Sequence, residues 1–353
     1  MLAELTARSR RVALVGLAKN TGKTVALTSL IGELHSAGER VGVTSIGRDG
    51  EEHDVIDFRI AKPRVALLAG DLIATTDALL AASELPYELI EETDVRTPLG
   101  RVRVARLQAG GELEVAGPSS GEQLREVCES MLAHGAARTL IDGAIDRRAP
   151  ASPRVADGLV LATGAVLGAT LEEVVLATRR AVELVRLPVL AAAEAATLGR
   201  FARPGAGGAI VADDGKVSEL PARYALTAGR AELELLLDAN PDARRIVLAG
   251  AVTEAFLTDL AAALRARRRE LALTASDPTH IFLAAREPGW LRRQGLELST
   301  LAGIEFLALT VNPVAPLAHR FASRELREAI AEAVPGVPVL DVLHPEYRGA
   351  AAA

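Results

Sequence analysis

Cysteine is nearly absent from this 353-residue chain. Cys128 stands alone, which excludes an internal disulfide framework and any multi-cysteine metal site. Long apolar runs are missing too. The longest, Gly158 to Leu171, is too short and too rich in glycine to cross a membrane. The first eleven residues carry Arg8, Arg10 and Arg11 without an apolar stretch behind them, so no secretory signal is expected. No segment holds a block of about five or six like charges, and 40 basic against 46 acidic residues leave a net charge of -6. A nucleic-acid-binding body is therefore not expected. The six histidines are scattered without ligand spacing, which argues against a metal cluster. These absences predict a soluble, cytoplasmic protein with no membrane or nucleic-acid partner.

Lysine is the most informative shortage. Only Lys19, Lys23, Lys62 and Lys216 occur among the 40 basic residues; the rest are arginines. Such a bias reflects coding preference and says nothing of function, but it makes each surviving lysine a signal. Apolar residues make up 49% and charged residues 24%, the balance of a globular protein. The length suits one large α/β domain or two ordinary ones.

Hydrophobic patterning places strands and helices in alternation. Val12-Ala-Leu-Val-Gly16 reads as a buried strand, followed by a loop over Leu17 to Gly22. A helix with Val25, Leu27, Leu30, Ile31 and Leu34 on its apolar face ends at Gly38. Further strands are expected at Arg40–Ile46, Val65–Leu68, Leu72–Thr75, Tyr87–Glu91, Arg101–Arg106, Arg138–Asp142, Gly158–Thr163 and Pro188–Leu190. Helices are expected at Glu122–Ala133 and Leu171–Leu187. The Pro/Gly cluster Arg203-Pro-Gly-Ala-Gly-Gly208 reads as a linker. Beyond it lie strands at Ala209–Ala212, Arg245–Leu248, His280–Leu283, Glu305–Thr310 and Val337–Leu340, with helices at Glu254–Arg268 and Ser323–Ala333. The organisation expected is a nucleotide-binding domain over 1–202 and a second α/β domain over 203–353.

The segment Gly16-Leu-Ala-Lys-Asn-Thr-Gly22-Lys23-Thr24 lies between a strand and a helix, the setting a P-loop requires. Backbone N–H groups at a helix start point at a phosphate chain, and the helix dipole favours the anion. Gly22 allows close backbone approach. Lys23 brings a compact charge to the phosphates, where the planar fork of arginine would not fit. Thr24 offers a hydroxyl to Mg²⁺. Gly16, Lys19, Asn20, Thr21, Gly22, Lys23, Thr24 and Val25 form the expected nucleotide-binding set, with ATP and Mg²⁺ as ligands. Lys19 is either a second phosphate contact or an exposed loop residue.

Acidic partners are expected where neighbouring strands end. Leu140-Ile-Asp142-Gly143-Ala144 is a strand closing on Asp-Gly, and Asp142 is expected beside the Mg²⁺. Asp146 is a weaker candidate. After the second strand, Ser45-Ile-Gly-Arg48-Asp49-Gly50 and His53-Asp54 face the same crevice at the carboxyl ends of parallel strands. Either Asp49 or Asp54 holds Mg²⁺ through water, Asp49 being the stronger candidate. Arg48 and Lys62-Pro-Arg64 are candidates for an anionic substrate. Lys23, Asp49 and Asp142 are thus the expected catalytic residues, and Thr24, Asp49 and Asp142 the metal-holding ones. Cys128 falls on the apolar side of a helix and reads as core. Thr310-Val-Asn312-Pro313 ends a strand and reads as a strand-stopping turn, with a binding turn as the alternative.

Five residues separate Gly16 from Gly22 rather than four. This wider loop resembles that of dethiobiotin synthetase and related amide-forming ATPases, and Lys19 lies one position from the extra lysine of MinD-like ATPases. Taken in order, the loop, Ser45-Ile-Gly-Arg-Asp-Gly50, Lys62-Pro-Arg64, Leu140-Ile-Asp-Gly-Ala144, Ala162-Thr-Gly164 and Leu309-Thr-Val-Asn-Pro313 resemble the P-loop subunits of lysine 5,6-aminomutase reactivases. The resemblance spans residues 12 to 341. It implies a mostly parallel, SIMIBI-like P-loop NTPase domain followed by a second α/β domain. It also implies an ATP-driven reactivase that lets damaged cobalamin leave an adenosylcobalamin-dependent aminomutase. The implied partners are that aminomutase and a second, MutS-like subunit. Many ATPases of this class pair across their nucleotide sites, which makes a homodimer one expected assembly. No Asp-x-His-x-x-Gly cobalamin motif occurs in the chain itself.

The alternative is an ATP-dependent ligase that activates a carboxylate, as dethiobiotin synthetase and cobyrinic acid amide synthetase do, with Arg48, Lys62 and Arg64 on the substrate. A third reading is a nucleotide-binding regulator or a GTPase, but no Asn-Lys-x-Asp guanine reader is present.

Overall fold

The computed structural model describes residues 1–46, 65–144, 149–203, 205–221, 224, 228–316 and 318–344. Two compact units form. One comprises Met1–Arg179 with Ile304–Ala353, the other Arg180–Gly303.

The strands run, in chain order, β1 (Arg11–Gly16), β2 (Val41–Ser45), β3 (Val65–Leu67), β4 (Leu72–Thr76), β5 (Tyr87–Thr97), β6 (Gly100–Leu107), β7 (Gly111–Leu113), β8 (Arg138–Ala144) and β9 (Gly158–Gly164). In the other unit follow β10 (Gly208–Ala212), β11 (Val217–Leu220), β12 (Ala243–Leu248), β13 (Val252–Thr253), β14 (Leu271–Ala275), β15 (Ile281–Phe282) and β16 (Leu296–Thr300). The chain then returns to the first unit with β17 (Glu305–Asn312) and β18 (Val339–Leu340).

Nine strands build the large sheet, in the order β18-β17-β9-β1-β8-β2-β4-β6-β5. From β18 to β4 every pairing is parallel; β6 and β5 join antiparallel as a hairpin at one edge. The sequence accounts for both regimes. The run Val12–Gly16 is wholly buried and unbroken by polar residues, as a strand covered on both faces must be. The edge strand β5 is largely exposed and carries Glu88, Glu91, Glu92 and Asp94. Such charges discourage another chain from pairing there.

The helix Lys23–Ser36 covers the sheet with Ala26, Leu27, Leu30, Ile31 and Leu34. They join one core with Val12, Leu14, Val43, Leu140 and Val160. Burying each such leucine is worth roughly 1.5–3 kcal/mol. Val25, expected on that face, is 39% exposed. At about 100° per residue it lies about 200° around the helix from Leu27, off the buried stripe.

The other unit has a five-stranded sheet in the order β11-β10-β12-β14-β16, with β12, β14 and β16 parallel and β10 antiparallel to both of its neighbours. Helices Arg230–Ala239 and Glu254–Arg267 supply Leu233, Leu237, Leu257, Leu260 and Leu264 to its core. The dense basic stretch Arg265-Ala-Arg-Arg-Arg269 closes the helix pair. Arg267 grips Asp238 through Nε at 2.7 Å and Nη2 at 2.8 Å. Arg269 donates to the carbonyls of Leu237 and Asn240 at the end of the helix Arg230–Ala239 and of Ala243 at the start of β12. No helix among the described residues is long and apolar enough to cross a membrane.

The expected boundary at 202/203 does not match these units. β17 pairs with β9, Thr310 opposite Ala162 and Asn312 opposite Gly164, and β18 pairs with β17, so both strands belong with the first sheet. The Pro/Gly cluster at 203–208 falls inside the second unit and leads into β10. A turn-rich stretch marks where the chain bends, which is a different matter from where the core changes. Pro188–Leu190, expected as a strand, contributes a single bridge from Val189 to Thr300. The strand expected at His280–Leu283 shrinks to the two residues of β15, paired with β13. β14, β16 and the helix Arg230–Ala239 were not anticipated.

Asp157, in the turn before β9, fastens the start of β1. Its carboxylate accepts from the Arg10 and Arg11 amides at 3.2 and 2.9 Å and from Arg11 Nε and Nη2 at 3.2 and 2.7 Å. Burial works against the charge, but the bonds from Arg11 outweigh it and hold the carboxyl below its ordinary range. The stabilisation is therefore complete above the unfolded pKa of about 3.9 and is lost as pH falls through the lower folded value. Asp157→Ala should cost about 1 kcal/mol at pH 7 and less at about pH 3, below the ordinary carboxylate pKa. Thermal melts of both proteins at the two pH values check this.

Candidate functional site

The site grows from the carboxyl end of β1. This strand pairs with β8 on one side and β9 on the other, with Leu14 opposite both Asp142 and Val160. Parallel pairing puts all three carboxyl ends on one edge, where ligands of open α/β sheets bind.

From Gly16 the chain turns into a tight loop. Leu17 N extends the ladder by donating to the Ala162 carbonyl at 2.9 Å. Thr21, buried, donates through Oγ1 to the Ala18 carbonyl at 3.0 Å and closes the loop on itself. A Cβ at Gly16 would lie 2.7 Å from that hydroxyl, so the fold-back requires glycine there. Asn20 and Gly22 both take left-handed conformations, with φ of 65° and 83°. Gly22 is the residue before the helix, and a Cβ on it would meet Asn312 Cβ at 3.1 Å.

The helix Lys23–Ser36 opens with no side-chain cap and no acidic residue in its first turn. Two other long helices differ. Ser120 caps its helix by accepting from Gln123 N, with Glu122 in the first turn; Thr253 accepts from Phe256 N, with Glu254 in the first turn. The positive end of the helix after the loop thus has no capping side chain or first-turn carboxylate against it.

Lys23, the first residue of that helix, reaches Asp142 with Nζ 2.7 Å from Oδ1. The side chains are 21% and 25% exposed. β8 continues two residues past Asp142, to Ala144. The Asp142 carbonyl is taken by Ser45 Oγ and Ile46 N, each at 3.1 Å. Its carboxylate is thereby left to face the lysine. Thr24 is half-buried on the first turn, while Lys19 and Asn20 are exposed. Val25 is exposed. Asp49, Arg48, His53, Asp54, Lys62, Arg64 and Asp146 lie outside the described residues.

Asn312 is the residue whose role the sequence did not reveal. It ends β17, and its Nδ2 donates to the Asn20 carbonyl at 2.8 Å while its Oδ1 accepts from Val314 N at 3.1 Å. It therefore holds the left-handed stretch of the loop from a position 292 residues away. The Asn-Pro pair signals that the strand stops there, and nothing local identifies the partner. Cys128 is fully buried on its helix, and burial pushes its thiol up to about 12, so it is no nucleophile.

Gly22→Ala should destabilise the protein by about 1–2 kcal/mol, because alanine is strained at this φ and its methyl crowds Asn312; chemical denaturation measures it. Asn312→Ala frees the loop and should speed amide exchange of residues 20–24 about fivefold, the loss of one hydrogen bond of about 1 kcal/mol. Unchanged exchange there would show that the loop holds its shape without Asn312.

No family model matches the chain, and no curated protein or solved structure matches it.

Proposed function

We propose that this protein is a P-loop ATPase that holds ATP and Mg²⁺ on residues 16–25 and hydrolyses the nucleotide. The observation that carries the reading is the uncapped helix start led by Lys23, 2.7 Å from Asp142 on the adjacent parallel strand. The amides of the loop and first helical turn receive phosphate oxygens. Lys23 carries the compact positive charge to them. The Thr24 hydroxyl and the Asp142 carboxylate hold the ion, with Asp49 as a further acidic contributor. Bound Mg²⁺ supplies neutralisation of charge developing on the transferring phosphoryl group.

The residues suit this ion. The Asp142 carboxylate, with its buried Oδ1, already sits against a positive charge. Among the described residues no three His, Cys, Asp or Glu side chains converge on a metal position. Mg²⁺ usually keeps several waters and is held by one or two carboxylates together with substrate phosphates, so no such cage is needed.

The cellular role proposed is that of an aminomutase reactivase subunit. It would work with a MutS-like second subunit on an adenosylcobalamin-dependent enzyme, and the resemblance of the quoted motifs carries this part. The loop spacing of five residues favours a second reading, an ATP-dependent ligase acting on a carboxylate.

Nucleotide turnover distinguishes them. It is measured for the chain alone, with small carboxylic acids, and with an inactivated aminomutase plus its second subunit. Stimulation by the aminomutase complex alone is expected; stimulation by a small acid would transfer the assignment to the ligase. Lys23→Ala should weaken ATP binding at least about a hundredfold, about 2.7 kcal/mol. Asp142→Asn should retain binding and lose Mg²⁺-dependent hydrolysis. ATP affinity untouched by Lys23→Ala would refute the nucleotide site.

A further inference from the structure

We propose that the turns after β12 and β14 form a binding site for a compact oxyanion, a phosphate or carboxylate group. His280 Nε2 and the main-chain amides of Gly250 and Ala251 receive it. The site lies wholly in the second unit and stands apart from the nucleotide reading.

Strands β12, β14 and β16 run parallel, so their carboxyl ends share one edge of the five-stranded sheet. Ligands of open α/β sheets bind along such an edge. Two turns leave it side by side. Residues 249–251 lead from β12 into β13, and residues 276–280 lead from β14 into β15. β13 and β15 pair in parallel, with Val252 opposite Ile281. One residue back on each strand, Ala251 and His280 are therefore neighbours. Side chains alternate along β15: Ile281 is fully buried and Phe282 is 41% exposed. His280 falls on the outer face with Phe282, and its side chain is 35% exposed.

Asp277 fixes the imidazole. Its side chain is 2% exposed, and its Oδ1 accepts from His280 Nδ1 at 3.1 Å and from Thr279 N at 2.9 Å. A carboxylate on Nδ1 places a proton there and leaves Nε2 as the atom for a ligand. Nε2 has no hydrogen-bond partner among the described residues. When the ring also carries a proton on Nε2, that N–H donates to an oxyanion, and Asp277 balances the charge.

The amides complete the arrangement. Gly250 is exposed and left-handed, with φ of 88°, and a Cβ built on it would meet nothing within 4 Å. Gly250 N and Ala251 N make no main-chain hydrogen bond among the described residues. Successive N–H groups in such a turn form an anion-binding concavity. The nearby polar side chains are engaged elsewhere. Ser276 Oγ donates to the Ala202 carbonyl at 3.2 Å, and Thr253 Oγ1 caps the following helix by accepting from Phe256 N. The Glu254 carboxylate accepts from the amides of Ala284, Ala285 and Arg286 at 2.6, 2.7 and 3.2 Å. None of them takes up the imidazole or the two free amides.

The test is an NMR titration of the full, isotope-labelled chain with inorganic phosphate and, separately, with acetate. The amide signals of Gly250 and Ala251 and the ring nitrogens of His280 should move together along one saturating curve. The anion that binds more tightly identifies the headgroup. His280→Ala should weaken binding at least about tenfold, about 1.4 kcal/mol, read from the Gly250 and Ala251 signals. Phe282→Ala alters the same outer face without removing a donor and should leave the affinity within about twofold. Silence of all three residues in the natural protein with both anions would overturn the site without any variant. So would a curve that His280→Ala leaves unchanged. Residues 16–25 report the nucleotide loop separately: a phosphate response confined to them overturns this site and leaves the nucleotide reading standing.

Discussion

The pairing of β1 between β8 and β9 is the constraint from which the rest of the first unit follows. All three strands point the same way, so their carboxyl ends share one edge of the sheet. That alignment brings the loop after Gly16, the carboxylate of Asp142 and the carbonyl of Ala162 together. It also explains why β1 is apolar along its buried length: a strand with neighbours on both sides and helices on its faces has no solvent side to offer a charge. Polar chemistry can only appear where the strand ends, and there it is concentrated.

The loop itself is held from outside. A run with two left-handed residues does not keep one shape by local preference alone. Here Thr21 ties it to Ala18, the ladder to β9 ties its base, and Asn312 ties the Asn20 carbonyl. Two of these restraints come from strands that are distant in sequence. β9 is the strand from which the chain leads on to the second unit, and β17 is the strand on which it comes back. The shape of the proposed phosphate loop thus depends on the chain completing its return.

Elsewhere the abundant arginines do structural duty. Arg11 and Asp157 fasten the amino ends of β1 and β9, Arg267 joins two helices through Asp238, and Arg269 ties a helix end to the start of β12 through three carbonyls. Arginine suits these tasks because its fork reaches several acceptors in fixed directions. Lys23 instead places a single compact ammonium against Asp142 near the end of β8.

Much of this was legible in the sequence. The strand–loop–helix unit, the helix at Gly121–Ala133 and the parallel pattern follow from local signals: apolar runs, turn glycines, and a rare lysine after a glycine. Those signals are local because β-propensity, helix periodicity and left-handed turns act over a few residues. The division of the chain was not legible, since a Pro/Gly cluster at 203–208 looks like a boundary while membership of a sheet is decided by which strand completes the hydrogen-bond ladder. Nor were β14 and β16, short apolar strands whose burial depends on neighbours far along the chain. The place of Asn312 was equally out of reach, because an asparagine before a proline announces only the end of a strand. The sequence by itself determined a glycine-bearing loop between an apolar strand and a helix, with a rare lysine at the helix start. Only the tertiary structure decided that Asp142 stands 2.7 Å from Lys23 and that Asn312 holds the loop, because both contacts are made between strands that the chain brings together from far apart.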